Sequence, residues 1–146
     1  MNMFSPSDRR LEHLTLDECW ELLRPGGVGR LAVTINGDPD IFPVNYVVDG
    51  SRLVIRTAAG LKLAAAVLGR SVAFEVDHPE PESRTAWSVV LRGPAREIDD
   101  LEGLLRAEDL DLVPWTEVEE KNRYFAIEPV AVTGRRIDDG AEEEGR

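Results

Sequence analysis

The chain has 146 residues, of which 42% are hydrophobic and 31% charged, and its formal net charge at pH 7 is −11. This length suits a single domain with a real core, and the composition is that of an ordinary soluble globular protein. The acidic balance argues against a nucleic-acid-binding protein, which normally displays a basic patch. No apolar run approaches the roughly 20 residues that span a bilayer. The N-terminus lacks the apolar core of a signal peptide, and the single Cys19 favours a reducing compartment, so we expect a cytoplasmic protein.

The first stretch, residues 1–13, shows no clear periodicity and is predicted to be an N-terminal arm. Thr15 and Glu18 then have the spacing of a capping box, which predicts the start of a short helix. Its apolar residues recur at helical spacing as far as Leu23, and Pro25 with the following glycines ends it. Cys19 lies on the apolar side of this helix, so we interpret it as a core residue and not as a nucleophile.

Two hairpins are predicted next. Residues 28–35 and 40–48 alternate as strands on either side of the turn signal Asn36-Gly37, and Asp49-Gly50 leads into a third strand over 52–57. A short helix is expected over 61–68, where apolar side chains share one stripe.

The second half of the chain is also rich in strands. Residues 71–77 alternate cleanly, 78–84 are predicted to be a loop, and a long strand begins at Trp87 and bends at Gly93-Pro94. A helix over 100–107 and a closing strand over 124–137, interrupted at Pro129, complete the predicted domain of residues 14–137. Residues 138–146 are predicted to be an acidic disordered tail. The pattern predicts a mainly β fold with short helices, an antiparallel barrel that is closed or partly closed.

A corner between the third strand and the following helix suggests a site for an anion. Arg56 and Thr57 end the strand, Gly60 opens a loop, and Lys62 falls in the first turn of the helix. Unpartnered amides at a helix start attract anions, and two added cations make a phosphate cradle plausible. The preceding strand, with Asn45, could offer hydrogen bonds to a flat polar ring. We therefore expect a planar cofactor that carries a phosphate.

Five segments, in this order and at this spacing, carry a resemblance that covers residues 14–136. They are Val28-Gly29-Arg30-Leu31-Ala32-Val33, Pro43-Val44-Asn45-Tyr46, Arg56-Thr57 with Gly60 and Lys62, Phe74-Glu75-Val76-Asp77, and Trp87-Ser88-Val89-Val90 with Arg92-Gly93. Together they resemble the pyridoxamine 5′-phosphate oxidase-like family of FMN-binding split barrels, in its smaller bacterial branch.

The resemblance implies a homodimer with FMN at the subunit interface. It implies that Arg56, Thr57 and Lys62 contact the phosphate of FMN. It further implies that Pro43, Val44 and Asn45 line the isoalloxazine ring, and that Trp87 and Ser88 approach the flavin from another strand. Trp87 could equally be a core residue, and both roles can hold at once.

The chain departs from the oxidase that gives the family its name. That enzyme grips its vitamin phosphate with C-terminal arginine and histidine residues, whereas no histidine follows His78 here and Arg135 and Arg136 are the only nearby cations. Oxidation of pyridoxamine phosphate is therefore not expected. The absence of a C-terminal histidine also argues against haem degradation.

Other candidate residues are interpreted conservatively. His13 and His78 have no second ligand at metal spacing, so no metal site is expected, and His78 is interpreted as a loop residue. Glu75 and Asp77 share one strand face, which we interpret as a solvated or interface face.

Four functions stay open at this point. The first is an FMN-dependent oxidoreductase that acts on a small molecule, with no side chain needed as an acid or base. The second uses a deazaflavin cofactor in the same fold. The third is a non-enzymatic flavin-binding or stress-associated module, and the fourth is an interaction domain without a cofactor. The predicted function is the first.

Overall fold

The computed structural model describes residues 10–57, 70–110, 112 and 123–138. Eight strands and two helices lie in this part of the chain: β1 (Arg10–His13), α1 (Leu16–Leu23), β2 (Gly27–Ile35), β3 (Asp38–Asp49), β4 (Arg52–Thr57), β5 (Ser71–Glu80), β6 (Thr85–Glu97), α2 (Leu101–Asp109), β7 (Arg123–Ile127) and β8 (Ala131–Asp138). None of the described helices is long and apolar enough to cross a membrane. The predicted helix over 61–68, Lys62 and the tail from residue 139 lie outside the described residues.

Alternating side chains explain the strands. In β6 every second residue from Trp87 to Ala95 is buried while the residues between them are more exposed, because one face of the strand covers the core. The β2–β3 hairpin forms as predicted, since Asn36 and Gly37 both adopt the positive φ angles, 52° and 86°, that a tight two-residue turn of this type requires.

All pairings are antiparallel, and they close a ring. The strand order is β1-β8-β6-β5-β2-β3-β4-β7, and an additional β6–β7 pairing joins the sheet to itself. This closure is possible because β6 changes partner along its length. Residues 85–92 pair with β8, whereas Ala95–Glu97 pair with β7. The six strands from β6 to β7 therefore form a barrel, and β8 and β1 extend the sheet beyond it. The prediction of a mainly β, antiparallel barrel is confirmed.

Two hydrophobic clusters fill the molecule. The larger cluster occupies the barrel interior, where Leu31, Leu53 and Phe74 are fully buried, and Cys19 of α1 joins it as predicted. The smaller cluster lies outside the barrel wall beneath α2 and includes Val54, Tyr124 and Ala126. Strand β4 is thus covered on both faces, so adjacent residues of one strand belong to different clusters.

Two expectations need correction. Residues 10–13 are not part of an arm but form β1, which pairs with β8 from Arg10↔Asp138 to His13↔Arg135. Residues 78–80 are not a loop, because the β5–β6 ladder continues past His78↔Trp87 to Glu80↔Thr85. The charged and proline-rich composition of this stretch reflects an extension of the sheet with exposed residues. The turn itself is confined to residues 81–84.

The pairing of β6 changes at Gly93-Pro94, where the sequence predicts a bend in one long strand, at a bulge or an edge. Strand β6 runs through these residues, which pair with Val72 and Ser71 of β5. On the opposite edge β6 passes from β8 to β7 at this point, and the carbonyl of Pro94 accepts a hydrogen bond from Glu128 N at 3.1 Å. A residue without a backbone N–H is tolerated here because the ladder on that edge is changing partner.

Candidate functional site

Three of the residues predicted to bind a cofactor come together on the outer face of the barrel. Asn45 of β3 is paired directly with Arg56 of β4, and Arg56 is paired with Tyr124 of β7. Pro43 precedes Asn45 by two residues and shares its face. Val44 between them points into the barrel core, where its side chain is 3% exposed. Any contact that Val44 makes on the outer face therefore belongs to its backbone.

The guanidinium of Arg56 is positioned by two contacts. Its Nη1 donates to the carbonyl oxygen of Leu112 at 2.8 Å, and its Cζ lies 5.4 Å from the centre of the Tyr124 ring. The Nε of Arg56 is buried and has no hydrogen-bond partner among the described residues. A buried N–H without an acceptor is costly, and an arginine side chain presents donors on several edges of one plane. An acceptor with several oxygens, such as a phosphate, fits this position.

Asn45 makes one weak contact from its side chain. Its Nδ2 donates to the carbonyl of Gly27 at 3.4 Å, near the upper limit for a hydrogen bond. The side chain is half-buried beside Val28, its partner residue on β2. An amide held this loosely can turn to present either its donor or its acceptor to a ligand.

Trp87 and Ser88 lie on a different part of the sheet. Strand β6 is separated from β3 by β5 and β2, so Ser88 is three strand spacings, about 14 Å along the sheet, from the β3 residues. The Trp87 side chain is 8% exposed and packs in the barrel core. Ser88 faces outward between Asp77 and Arg135. The predicted site residues thus form two groups within one chain. Thr57 follows Arg56 at the end of β4, but its side chain lies on the opposite face of the strand.

An ionic cluster occupies the sheet between these two groups. Arg30 Nη1 lies 3.1 Å from Glu75 Oε1, and Arg30 Nη2 lies 3.5 Å from Asp77 Oδ1. Burial, the neighbouring Asp77 carboxyl and its charge raise the pKa of Glu75 to about 7, against the opposing effect of Arg30. The sequence predicts that Glu75 and Asp77 lie on a solvated or interface face. Their period-two spacing indicates the shared face, but the arginine that joins them comes from another strand.

No group of three or more His, Cys, Asp or Glu side chains within residues 10–57, 70–110, 112 and 123–138 is arranged to hold a metal ion. The side chains that come together on the outer face of β3 and β4 are an amide and a guanidinium. The chemistry of this donor set suits an anionic, hydrogen-bonding ligand.

The comparisons with known proteins identify the family of this chain. The family model described as pyridoxamine 5′-phosphate oxidase matches residues 15–136. The uncharacterized protein Rv0080 of Mycobacterium tuberculosis is 39% identical over 90% of this chain and 88% of its own length. The FAD binding protein from Mycobacterium smegmatis has a similar structure, with a TM-score of 0.71 and 37% identity over 85% of this chain and 98% of that one.

A more distant solved structure has the same fold. The FAD-binding protein from Mesorhizobium loti has a TM-score of 0.74 and 26% identity, and the similarity covers 89% of this chain and 98% of that one. The extent of the family match and the identity to these relatives exceed what a shared fold alone would produce. The chain therefore belongs to the pyridoxamine 5′-phosphate oxidase family and has its split-barrel fold.

Proposed function

We propose that the protein is a flavin-dependent oxidoreductase that binds FMN on the outer face of β3 and β4 and acts on a small molecule. The observation that carries this proposal is Arg56, whose buried Nε lacks an acceptor on the same face as Pro43 and Asn45. Family membership supports it, as do the names of two similar proteins, which state that they bind FAD. FAD is accordingly the flavin that competes with FMN in the test below.

Each residue of the site has a definite task in this proposal. Arg56, with Thr57 beside it and Lys62 in the next segment, neutralises and orients the phosphate. The amide of Asn45 and the backbone of Val44 offer hydrogen bonds to the edge of the ring, and Pro43 covers its face with an apolar surface. When bound, the flavin supplies the electron-transfer chemistry, and the protein supplies binding and orientation.

We further propose that the functional unit is a homodimer with the flavin at its interface. Ser88 lies about 14 Å along the sheet from Asn45, so within one chain these residues serve different parts of a ligand or different ligands. A second copy could bring its own β6 next to the β3 of the first. The outer face of β2 and β3 carries exposed apolar side chains, with Val28 at 37% and Ile41 at 62% exposure, which suits a surface covered by a partner.

The first test is the visible absorbance spectrum of the purified protein, followed by heat release and chromatography of the bound molecule. A flavin spectrum with FMN in the supernatant supports the proposal. Release of FAD or of a deazaflavin would overturn the choice of cofactor. Full flavin occupancy without turnover by any reductant would favour the non-enzymatic flavin-binding module. A colourless protein that also ignores all three added cofactors would contradict the proposal altogether.

Arg56→Gln tests the phosphate contact while it keeps much of the packing against Tyr124. A hydrogen bond to a charged group contributes about 1.5–3 kcal/mol, so we expect the Kd for FMN to rise roughly 10- to 150-fold. Lys62→Ala in addition should release the flavin. Arg96→Gln is the matched control, since that side chain is 67% exposed and makes a surface ion pair with Glu128. Full flavin occupancy in the double variant would show that the phosphate binds elsewhere.

A further inference from the structure

A cavity lies at the end of the barrel where β2 begins and β5 ends. Its volume is about 450 Å³, within the range of roughly 300–1,000 Å³ usual for small-molecule sites. Pro25 and Gly26 after α1 form one side together with the first two residues of β2, and Val76, His78 and Trp87 form the other. None of these residues except Trp87 belongs to the predicted cofactor-binding set.

Aromatic rings make one wall of this cavity. His78 and Trp87 are paired across β5 and β6, with ring centres 6.2 Å apart and an angle of 35° between their planes. Trp87 is buried, whereas His78 is exposed. The imidazole therefore forms an accessible rim in front of a fixed indole, an arrangement suited to stacking against a flat ring.

Glycine keeps the opposite side open. Gly27 has a φ of 133°, a backbone conformation that residues with a side chain rarely adopt. Nothing lies within 4 Å of the position that a Cβ would occupy there. The backbone there faces open space. A planar molecule can approach it closely.

The charge of the lining defines the class of ligand. Asp77 is the one acidic residue among the described residues that line the cavity, and none of those lining residues is lysine or arginine. The nearby Arg30 is already engaged with Asp77 and Glu75. A phosphate or carboxylate placed here would find no lysine or arginine among the described lining residues to pair with its charge. A neutral or weakly basic ring would meet no such penalty.

We propose that this cavity binds a flat, largely apolar aromatic molecule that is neutral or weakly basic, with His78 and Trp87 as its stacking wall. The cavity adjoins the proposed flavin face, because Gly27 lines the cavity and its carbonyl accepts a hydrogen bond from Asn45. The role of this ligand as the molecule that reacts with the flavin rests on the proposed function. The binding of this ligand to the cavity does not depend on the proposed function.

The test uses two probes of the same shape and different charge, 2-naphthol and 2-naphthoate. Each is titrated into the full-length protein, with its cofactor as isolated, by calorimetry, and the site is located by NMR shifts of backbone amides. We expect 2-naphthol to bind at least roughly tenfold more tightly than 2-naphthoate, with shifts at Gly27 and His78. Equal or tighter binding of the anion, no binding of 2-naphthol, or shifts confined to other surfaces would overturn the proposal.

Two substitutions sharpen this test. His78→Ala removes the accessible half of the wall and should weaken 2-naphthol binding on the order of threefold to tenfold. Asp77→Asn should reduce the difference in affinity between 2-naphthol and 2-naphthoate. His13→Ala, which removes the other histidine from the exposed strand β1, is the control and should leave binding unchanged. An unchanged affinity in His78→Ala would contradict the stacking role. Flavin content, measured separately by absorbance, reports on the proposed function whatever the probes do.

Discussion

Two carboxylates of β5 share one guanidinium, and the burial of one of them, Glu75, beside the other links its protonation to folding. The side chain of Glu75 is 30% exposed and lies beside Asp77, which opposes its ionisation. Arg30 acts in the other direction, but the net effect raises the pKa of Glu75 from its ordinary 4.5 to about 7. The folded state therefore binds a proton that the unfolded state has already released over this range of pH.

The stability of the protein should consequently fall as pH rises through this window. The contribution of protonated Glu75 is complete below about pH 4.5 and is lost as the pH passes about 7. Glu75→Gln should remove this part of the pH dependence of the free energy of unfolding, measured by urea denaturation. Glu21→Gln, at a carboxylate that is 71% exposed, should keep it. Identical slopes in the wild-type protein and Glu75→Gln would contradict the assignment.

At the scale of elements, helix α1 is stabilised at its start by a complete capping box. Thr15 N donates to Glu18 Oε1 at 2.8 Å, and Glu18 N donates to Thr15 Oγ1 at 3.1 Å. Thr15→Ala should lower the free energy of unfolding by about 1 kcal/mol, because the Glu18 amide at the helix start loses its acceptor. Urea denaturation measures this change in the free energy of unfolding. The control is Thr34→Ala, which removes an exposed threonine of β2. A loss no larger than that of the control would show that the cap adds nothing in the folded protein.

The buried side of α1 packs against β8 at a glycine, Gly134. A Cβ on Gly134 would lie 2.6 Å from Cys19 Sγ and 3.3 Å from the carbonyl of Ser88. The helix reaches the sheet at this point because Gly134 has no side chain. The carbonyl of Gly134 also accepts a hydrogen bond from Leu14 N at 2.9 Å, which fixes the chain just before the helix. Cys19 is thus buried by a specific close contact, in agreement with its predicted structural role.

At the scale of the whole molecule, the outer face of the barrel is where the dimer proposal is tested. Ile41 is 62% exposed and shares a face with Pro43. Ile41→Lys would place an ammonium group at the proposed interface. We expect the Kd of the dimer to rise on the order of 100-fold or more, with loss of bound flavin in parallel.

Sedimentation velocity and the flavin absorbance of the same samples measure these two effects. Leu101→Lys is the matched control, because Leu101 is 73% exposed on α2, an element that is not part of the proposed interface between β3 and the β6 of a second copy. A wild-type protein that is monomeric with bound flavin would contradict the proposed assembly. So would an Ile41→Lys variant that stays dimeric and fully loaded.

Much of the fold follows from local sequence. Alternation with a period of two predicts the strands, the Asn36-Gly37 turn predicts the first hairpin, and the spacing of Thr15 and Glu18 predicts the start of α1. These signals are readable because each depends on residues a few positions apart. The succession of short strands joined by hairpins also predicts the mainly β class, since such strands bury their apolar faces in a closed or partly closed barrel.

Long-range pairing decided what the local signals could not. The exposed residues of β1 resemble a disordered arm, and they form a strand only because β8 offers an edge. His78 lies in a proline-rich stretch that resembles a loop, and the ladder with β6 places it beside Trp87. In each case hydrogen bonds to a distant strand outweigh weak local preference.

The candidate site shows the same division between local sequence signals and long-range strand pairing. Arg56 and Asn45 were predicted from sequence because they flank one hairpin, whose register brings them together. The contact of Arg56 with Leu112, the sharing of Arg30 by Glu75 and Asp77, and the separation of Ser88 from Asn45 depend on the order of strands in the closed barrel. Sequence by itself determined which residues alternate, turn and cap, because these properties are local. Only the tertiary structure decided which strands are neighbours, because that choice is made by the closure of the whole sheet.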